Sequence, residues 1–125
     1  MDRNKSLITL RPVIESIKTH NRMSPEETFQ NDVLRPIIKF QHELIMNIVE
    51  TSLYKYHKEF SKLLPEKKKL IIESLFNSNN QLKNELRNII VGLFIIEEYQ
   101  TYKLIRSDIN KRIIQIIQER VLSTL

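Results

Sequence analysis

The stretch Val33-Leu34-Arg35-Pro36-Ile37-Ile38-Lys39-Phe40-Gln41-His42-Glu43-Leu44-Ile45-Met46-Asn47-Ile48-Val49 decides the fold class. Its apolar residues return every three to four positions, which is the period of a helix with one side against a core. Val33, Ile37, Gln41, Leu44, Ile48, Ser52, Tyr56, Phe60 and Leu63 keep one face, broadened by Ile38, Ile45, Val49 and Leu53. That face predicts a helix from Asp32 to Leu64, about 45 Å long, against a radius of gyration near 14 Å for a compact chain of this size. The molecule is therefore expected to be elongated, or to lay the end of this helix on a second subunit. One glycine and no alanine in 125 residues accompany the same spacing almost end to end.

Upstream, Ser24-Pro25-Glu26-Glu27 reads as a helix start, with Ser24 as N-cap, Pro25 at the first helical position and Glu27 completing a capping box. The ring of Pro36 would clash with the Asp32 carbonyl in a regular helix. A short helix over 25–31 is therefore expected before the long one. Ser6 can cap a first helix to about His20, carrying Leu7, Leu10, Ile14 and Ile17 on one stripe. Pro12 either kinks that helix or begins its regular part. Downstream, Pro65 opens a third helix that ends at Asn77-Ser78-Asn79-Asn80. A fourth runs from about Gln81 to Gly92, and after a turn near Phe94 the last extends from Ile96 to Leu122. The sequence thus predicts one all-α domain over 1–125, an antiparallel helical bundle of about five helices with two long ones as its staves. The pentad Leu10-Arg11-Pro12-Val13-Ile14 returns as Leu34-Arg35-Pro36-Ile37-Ile38, but one echo does not make a repeat protein.

Composition narrows the function classes. Hydrophobic residues at 41% and charged residues at 28% are ordinary for a globule, and the longest apolar stretch, Ile89 to Ile96, is far short of a membrane span. No membrane association is expected. Met1-Asp2-Arg3-Asn4-Lys5 does not read as a secretory leader, so a cytoplasmic location is the default expectation. Without cysteine there is no disulfide, thiolate nucleophile or Cys-type zinc site. His20, His42 and His57 have no histidine four residues away and no His-Glu-x-x-His segment. Neither a metal, a cofactor nor a catalytic constellation is expected. Glu26-Glu27 and Glu97-Glu98 are explained by the field at helix N-termini, although Glu98 could line a polar cleft with Tyr99 and Tyr102.

Two clusters remain as candidate sites. Lys55, Lys58, Lys62, Lys67, Lys68 and Lys69 place six of the twenty basic residues within fifteen positions, on a chain of net charge +5. They could follow a polyanion such as nucleic acid, or form a solvated face, since an Ile-, Lys- and Asn-rich composition is also what an AT-rich genome produces. Arg11 and Arg35 each precede a proline, which biases them away from helical backbone and toward free carbonyls nearby. Alternatively Arg35, with Gln30, Asn31, Lys39 and Gln41, forms an anion clamp.

The segment from Ser24 through Gln41, with Gly92-Leu93-Phe94, Glu97-Glu98-Tyr99, Tyr102 and Asn110-Lys111-Arg112-Ile113-Ile114, resembles a family of short, all-helical bacterial proteins of unassigned function. Some of its members carry a glyoxalase-related label. A glyoxalase-type site needs several His and Glu ligands on paired βαβββ modules, which this chain does not offer. Where such relatives have a capping Thr before the last helix, Ile95 stands here. The expected function is a non-enzymatic helical interaction protein, a homodimer or the partner of another protein. The alternative is a polyanion-binding protein using the lysines of 55–69.

Overall fold

The computed structural model describes residues 1–14 and 23–125, and every regular element among them is helical. Helix α1 is Arg3–Leu10. Helix α2 covers 25–40 as Pro25–Phe29, a π turn Gln30–Leu34 and Arg35–Phe40, followed by α3, His42–Tyr56. After a 3₁₀ turn, Phe60–Lys62, come α4 (Pro65–Ser78), α5 (Asn80–Val91), α6 (Ile96–Leu104) and α7 (Arg106–Leu122). Seven helices thus stand among the described residues where the sequence reading expects five, because both long helices are interrupted.

The first correction concerns Pro36. The chain does not break at residue 31; the ladder widens, with the Arg35 N–H bonding the Gln30 carbonyl five residues back. The wider turn makes room for the proline ring and lets the missing amide pass without ending the helix. Arg35 consequently keeps helical backbone, φ −62° and ψ −45°, against the expectation from its place before proline. Helical hydrogen bonding even continues through Gln41, from Gln41 N–H to Ile37 O and from Ile45 N–H to Gln41 O.

The second correction is the end of α3. It stops at Tyr56, with His57 at φ −137° and ψ 77°, rather than at Leu64. A continued helix would carry Phe60 about 10 Å beyond Leu53 along the axis. The turn instead brings Phe60 back into the core, edge-on to Tyr54 at 6.1 Å. The buried stripe of α3 is Ile45, Val49 and Leu53, one residue round from the expected centre, so Leu44 is exposed and Ile48 half-buried.

The third correction is at Ile105, where φ −128° and ψ 29° separate α6 from α7. Arg106 folds back there, its guanidinium 5.1 Å from the Tyr102 ring and Nη2 3.2 Å from the Tyr99 hydroxyl. Asp108 sits in the first turn of α7, where a carboxylate favours helix initiation. Helix α7 packs against α4 and α5 through Ile109, Ile113, Ile116, Ile117 and Val121.

Local signals decide the remaining ends. Ser24 Oγ accepts from the Glu27 N–H at 3.1 Å, with Pro25 at the first position as expected. Pro65 likewise opens α4. The polar break between α4 and α5 shrinks to Asn79, which ends one helix by donating its N–H to Leu75 O and caps the next by accepting from Leu82 N–H. The N-cap of α1 is Asp2, not Ser6, and α1 ends at Leu10 because Arg11, extended at ψ 132°, precedes Pro12. Residues 11–14 are not helical, so the expected helix does not run on through Pro12, and its remainder from 15 to His20, with Ile17, lies outside the described residues.

Ile113 is fully buried while Ile48 is half-buried. Ile113→Asp should abolish or strongly lower the cooperative thermal transition, since a carboxyl group without a partner in the core removes a large share of the roughly 5–15 kcal/mol by which a domain is stable. Ile48→Asp should lower the melting temperature and leave the fold. Circular dichroism melts of the two variants check both outcomes; equal melts would mean that the core faces are misassigned.

Candidate functional site

The most constrained part of the molecule is the junction of α5 and α6, where a row of carbonyls needs donors. Asn88 O accepts from Gly92 N–H at 2.9 Å, Ile90 O from Leu93 N–H at 3.0 Å and Val91 O from Phe94 N–H at 3.1 Å. The tightened last turn leaves Ile89 O free, and the Gln41 side-chain amide donates to it at 3.0 Å. Two arginines supply the others. Arg3 Nη2 reaches Gly92 O at 2.9 Å and Nη1 reaches Phe94 O at 2.8 Å, while Arg11 Nη2 reaches Leu93 O at 3.1 Å. Seven successive carbonyls, 88 to 94, are therefore satisfied.

The same two ends meet in an ion pair. Arg11 grips Glu98 through both carboxylate oxygens, at 2.5 and 2.6 Å, with side-chain exposures of only 11% and 14%. Glu98 Oε1 also accepts the Ile95 N–H at 2.9 Å. Glu98 also lines an open, mainly apolar pocket of about 510 Å³ with Phe29, Asp32, Val33 and Thr101, whereas Tyr99 and Tyr102 are not part of that lining. Ile95 has no side-chain acceptor for capping, and Asn4 stands in, its Oδ1 accepting the Ile96 N–H at 3.3 Å. Under this junction Phe94 packs edge-on against Phe29 at 5.4 Å and against Tyr102 at 5.5 Å. The buried Tyr102 hydroxyl donates to Asn110 Oδ1 at 2.6 Å.

The residues of the expected anion clamp take several separate partners. Gln30 Oε1 accepts from Arg112 Nη1 at 2.9 Å, Arg35 Nε donates to Asn31 Oδ1 at 3.3 Å, and Gln41 is spent on Ile89 O. Lys39 is exposed. Arg35 and Asn31 are the pair that the π turn brings together. Of the histidines, His42 Nδ1 lies 3.2 Å from Arg120 Nη1, His57 is exposed, and His20 lies outside the described residues. Among the described residues, no group of three or more His, Cys, Asp or Glu could hold a metal ion, and no helix is long and apolar enough to cross a membrane.

The lysines occupy the last turn of α3, the connection at 57–64 and the start of α4. Lys55 Nζ lies 5.5 Å from the Tyr56 ring centre and Lys68 Nζ 5.7 Å from that of Phe60. Lys62 meets Glu59 at 3.2 Å and Lys69 meets Glu73 at 4.0 Å, both in exposed pairs of small energetic consequence. Lys58 is exposed. Lys67 lines an open groove of about 620 Å³ between the end of α3 and the outer side of α4. Its lining follows α4 at helical spacing, Lys67, Leu70, Ile71, Ser74, Leu75 and Ser78, and is completed by Tyr56 and His57 at the end of α3 and by Asn79, Asn80 and Gln81 at the start of α5. Composition along the chain locates the lysines; the groove depends on the turn at 57–64, which helical periodicity does not announce.

A second apolar area lies near the N-terminal segment. Leu10 and Phe40 share the wall of a small cavity with Leu7, Arg11, Ile37 and Leu93, and Leu44 follows Phe40 by one helical turn. All three of Leu10, Phe40 and Leu44 are exposed.

Arg11→Ala should destabilise the protein by about 3 kcal/mol, because Glu98 would keep its enclosure without its partner. Adding Glu98→Gln should return part of that loss. Denaturant titrations of the single and double variants read the coupling between the two positions; strict additivity would show that the pair contributes nothing of its own. No protein-family model matches this chain, and the comparisons with curated proteins and with solved structures likewise give no match.

Proposed function

We propose that this chain is a non-enzymatic interaction protein, an antiparallel helical bundle gathered on α7 that acts through self-association or a protein partner. The observation that carries the reading is apolar surface left open by a chain whose own core is closed. Leu10, Phe40 and Leu44 are 52%, 44% and 46% exposed, and Tyr56 and Leu70 on the groove are 62% and 67% exposed. Covering such surface yields about 25 cal/mol per Å². The Leu10, Phe40 and Leu44 strip suits a second copy, because a two-fold contact lays a patch against itself and these three side chains carry no charge to repel.

Solution mass is the direct test. The expected result is twice the mass of one chain, reduced to one by Leu44→Glu with an unchanged far-ultraviolet circular dichroism spectrum. A single-chain mass at every concentration, with no cross-linked protein from photoreactive residues at positions 44 and 70 in the expressing cell, would sink the proposal.

A second reading has its own observation: six lysines on one end of the fold, with Glu59 and Glu73 paired to two of them. In that reading the surface follows a polyanion. Lys58→Glu with Lys62→Glu should then abolish a gel shift that also weakens steeply with salt, and leave the melting temperature unchanged. A shift that survives both changes would eliminate it.

A further inference from the structure

We infer that the groove between Tyr56 and α4 is a docking site for an acidic amphipathic helix of another protein. This inference rests on the interaction reading above and commits one of its surfaces to one class of partner. The shape comes first. The residues facing the groove from α4 recur at three and four positions from Lys67 to Ser78, a stripe about 16 Å long. That length accepts about three turns of a helix lying alongside, with apolar anchors at the same spacing. The floor supplies the apolar half of the contact through Leu70, Ile71 and Leu75, and Leu70 stands 67% exposed with nothing over it.

Charge selects among occupants of that shape. Lys67 and His57 stand in the groove lining, which holds no carboxylate; of the other lysines on the neighbouring turn and helix starts, Lys62 and Lys69 are paired with Glu59 and Glu73, and Lys68 lies over Phe60. A partner helix with carboxylates beside its apolar stripe would set opposite charges against this rim, which speeds encounter and fixes orientation. A second copy of this chain fits poorly, since the groove lining holds no carboxylate that a two-fold contact could bring to Lys67. A nucleic acid would use the lysines but gain nothing from Leu70, Ile71 and Leu75.

The test is a selection from a displayed library of three-turn helical peptides in which apolar anchors are fixed and the other positions vary freely. The wild-type chain is the bait, and the Leu70→Asp variant removes binders that do not use the groove. The expected result is enrichment of Asp and Glu beside the anchors. A selected peptide made synthetically should bind at least about tenfold more weakly to the Lys67→Glu, Lys58→Glu variant and lose affinity as salt rises. It should also shift the methyl resonances of Leu70, Ile71 and Leu75 in the wild-type protein. Enrichment of basic or neutral sequences, or no enrichment that depends on Leu70, would overturn the inference. So would displacement of a bound peptide by an oligonucleotide that binds the Leu70→Asp variant equally well. The interaction reading fails separately, through solution mass and cross-linking: a dimer dispersed by Leu44→Glu with no acidic helix selected would leave that reading standing and remove this one.

Discussion

The demand of seven successive carbonyls for hydrogen-bond donors organises one whole side of this protein. A helix ending leaves its last carbonyls unsatisfied, and burying them so costs a few kcal/mol each. Glycine can end a helix by adopting positive φ and bringing its own amides round, but Gly92 sits at φ −61° and ψ −17°. The donors for Ile89, Gly92, Leu93 and Phe94 therefore come from distant side chains, Gln41, Arg3 and Arg11. This explains the place of α1, which has eight residues and buries none of them. A helix that short is marginal alone. Its position follows from the two arginines and from Asn4, which caps α6 where Ile95 cannot.

That polar junction and the apolar core hold each other in register. Glu98 receives Arg11 and the Ile95 amide at once, so the start of α6 is oriented by the same carboxylate that anchors the N-terminal segment. The orientation sets Tyr102 against Phe94 and Phe94 against Phe29, joining α6 to the first turns of α2. A buried ion pair contributes little net stability once desolvation is counted. Its value here lies in direction: a guanidinium fork binds a carboxylate and a carbonyl only in a narrow set of geometries.

What the sequence made legible was local. Helical periodicity identified all-α architecture, and Ser24, Pro25 and Pro65 marked helix starts that the structure contains, because caps and prolines act within one turn. The tendency of Arg11 to seek free carbonyls was also readable from Pro12, whereas the identity of Leu93 as recipient joins positions 82 residues apart. Interruptions were the blind spot. At residues 57 and 105 no glycine or proline marks the break; the first accompanies burial of Phe60 in the core, and at the second Arg106 makes local contacts with Tyr99 and Tyr102. Pro36 misled in the opposite direction, since a π turn absorbs it and the helix goes on. The lysine cluster was legible as charge, but the groove beside it exists only because the chain reverses after Tyr56.

The lysines and the apolar groove act on one another. Lys68 is half-buried against Phe60 and Lys55 lies beside Tyr56, so part of the basic surface also shields aromatic carbon from water. Lys67, in contrast, stands in the groove with Leu70 open beside it. An exposed apolar strip without charge invites association with any similar strip, including its own copy. Like charges along the rim raise the cost of that self-contact and lower it for a surface of opposite sign, so the same residues that weaken indiscriminate pairing confer selectivity. Beside the Leu10, Phe40 and Leu44 strip, Arg11 shares the small cavity of Leu10 and Phe40, but its guanidinium is already paired with Glu98. The cation beside the second surface is thus neutralised within the chain, whereas Lys67 at the first meets no carboxylate in its lining.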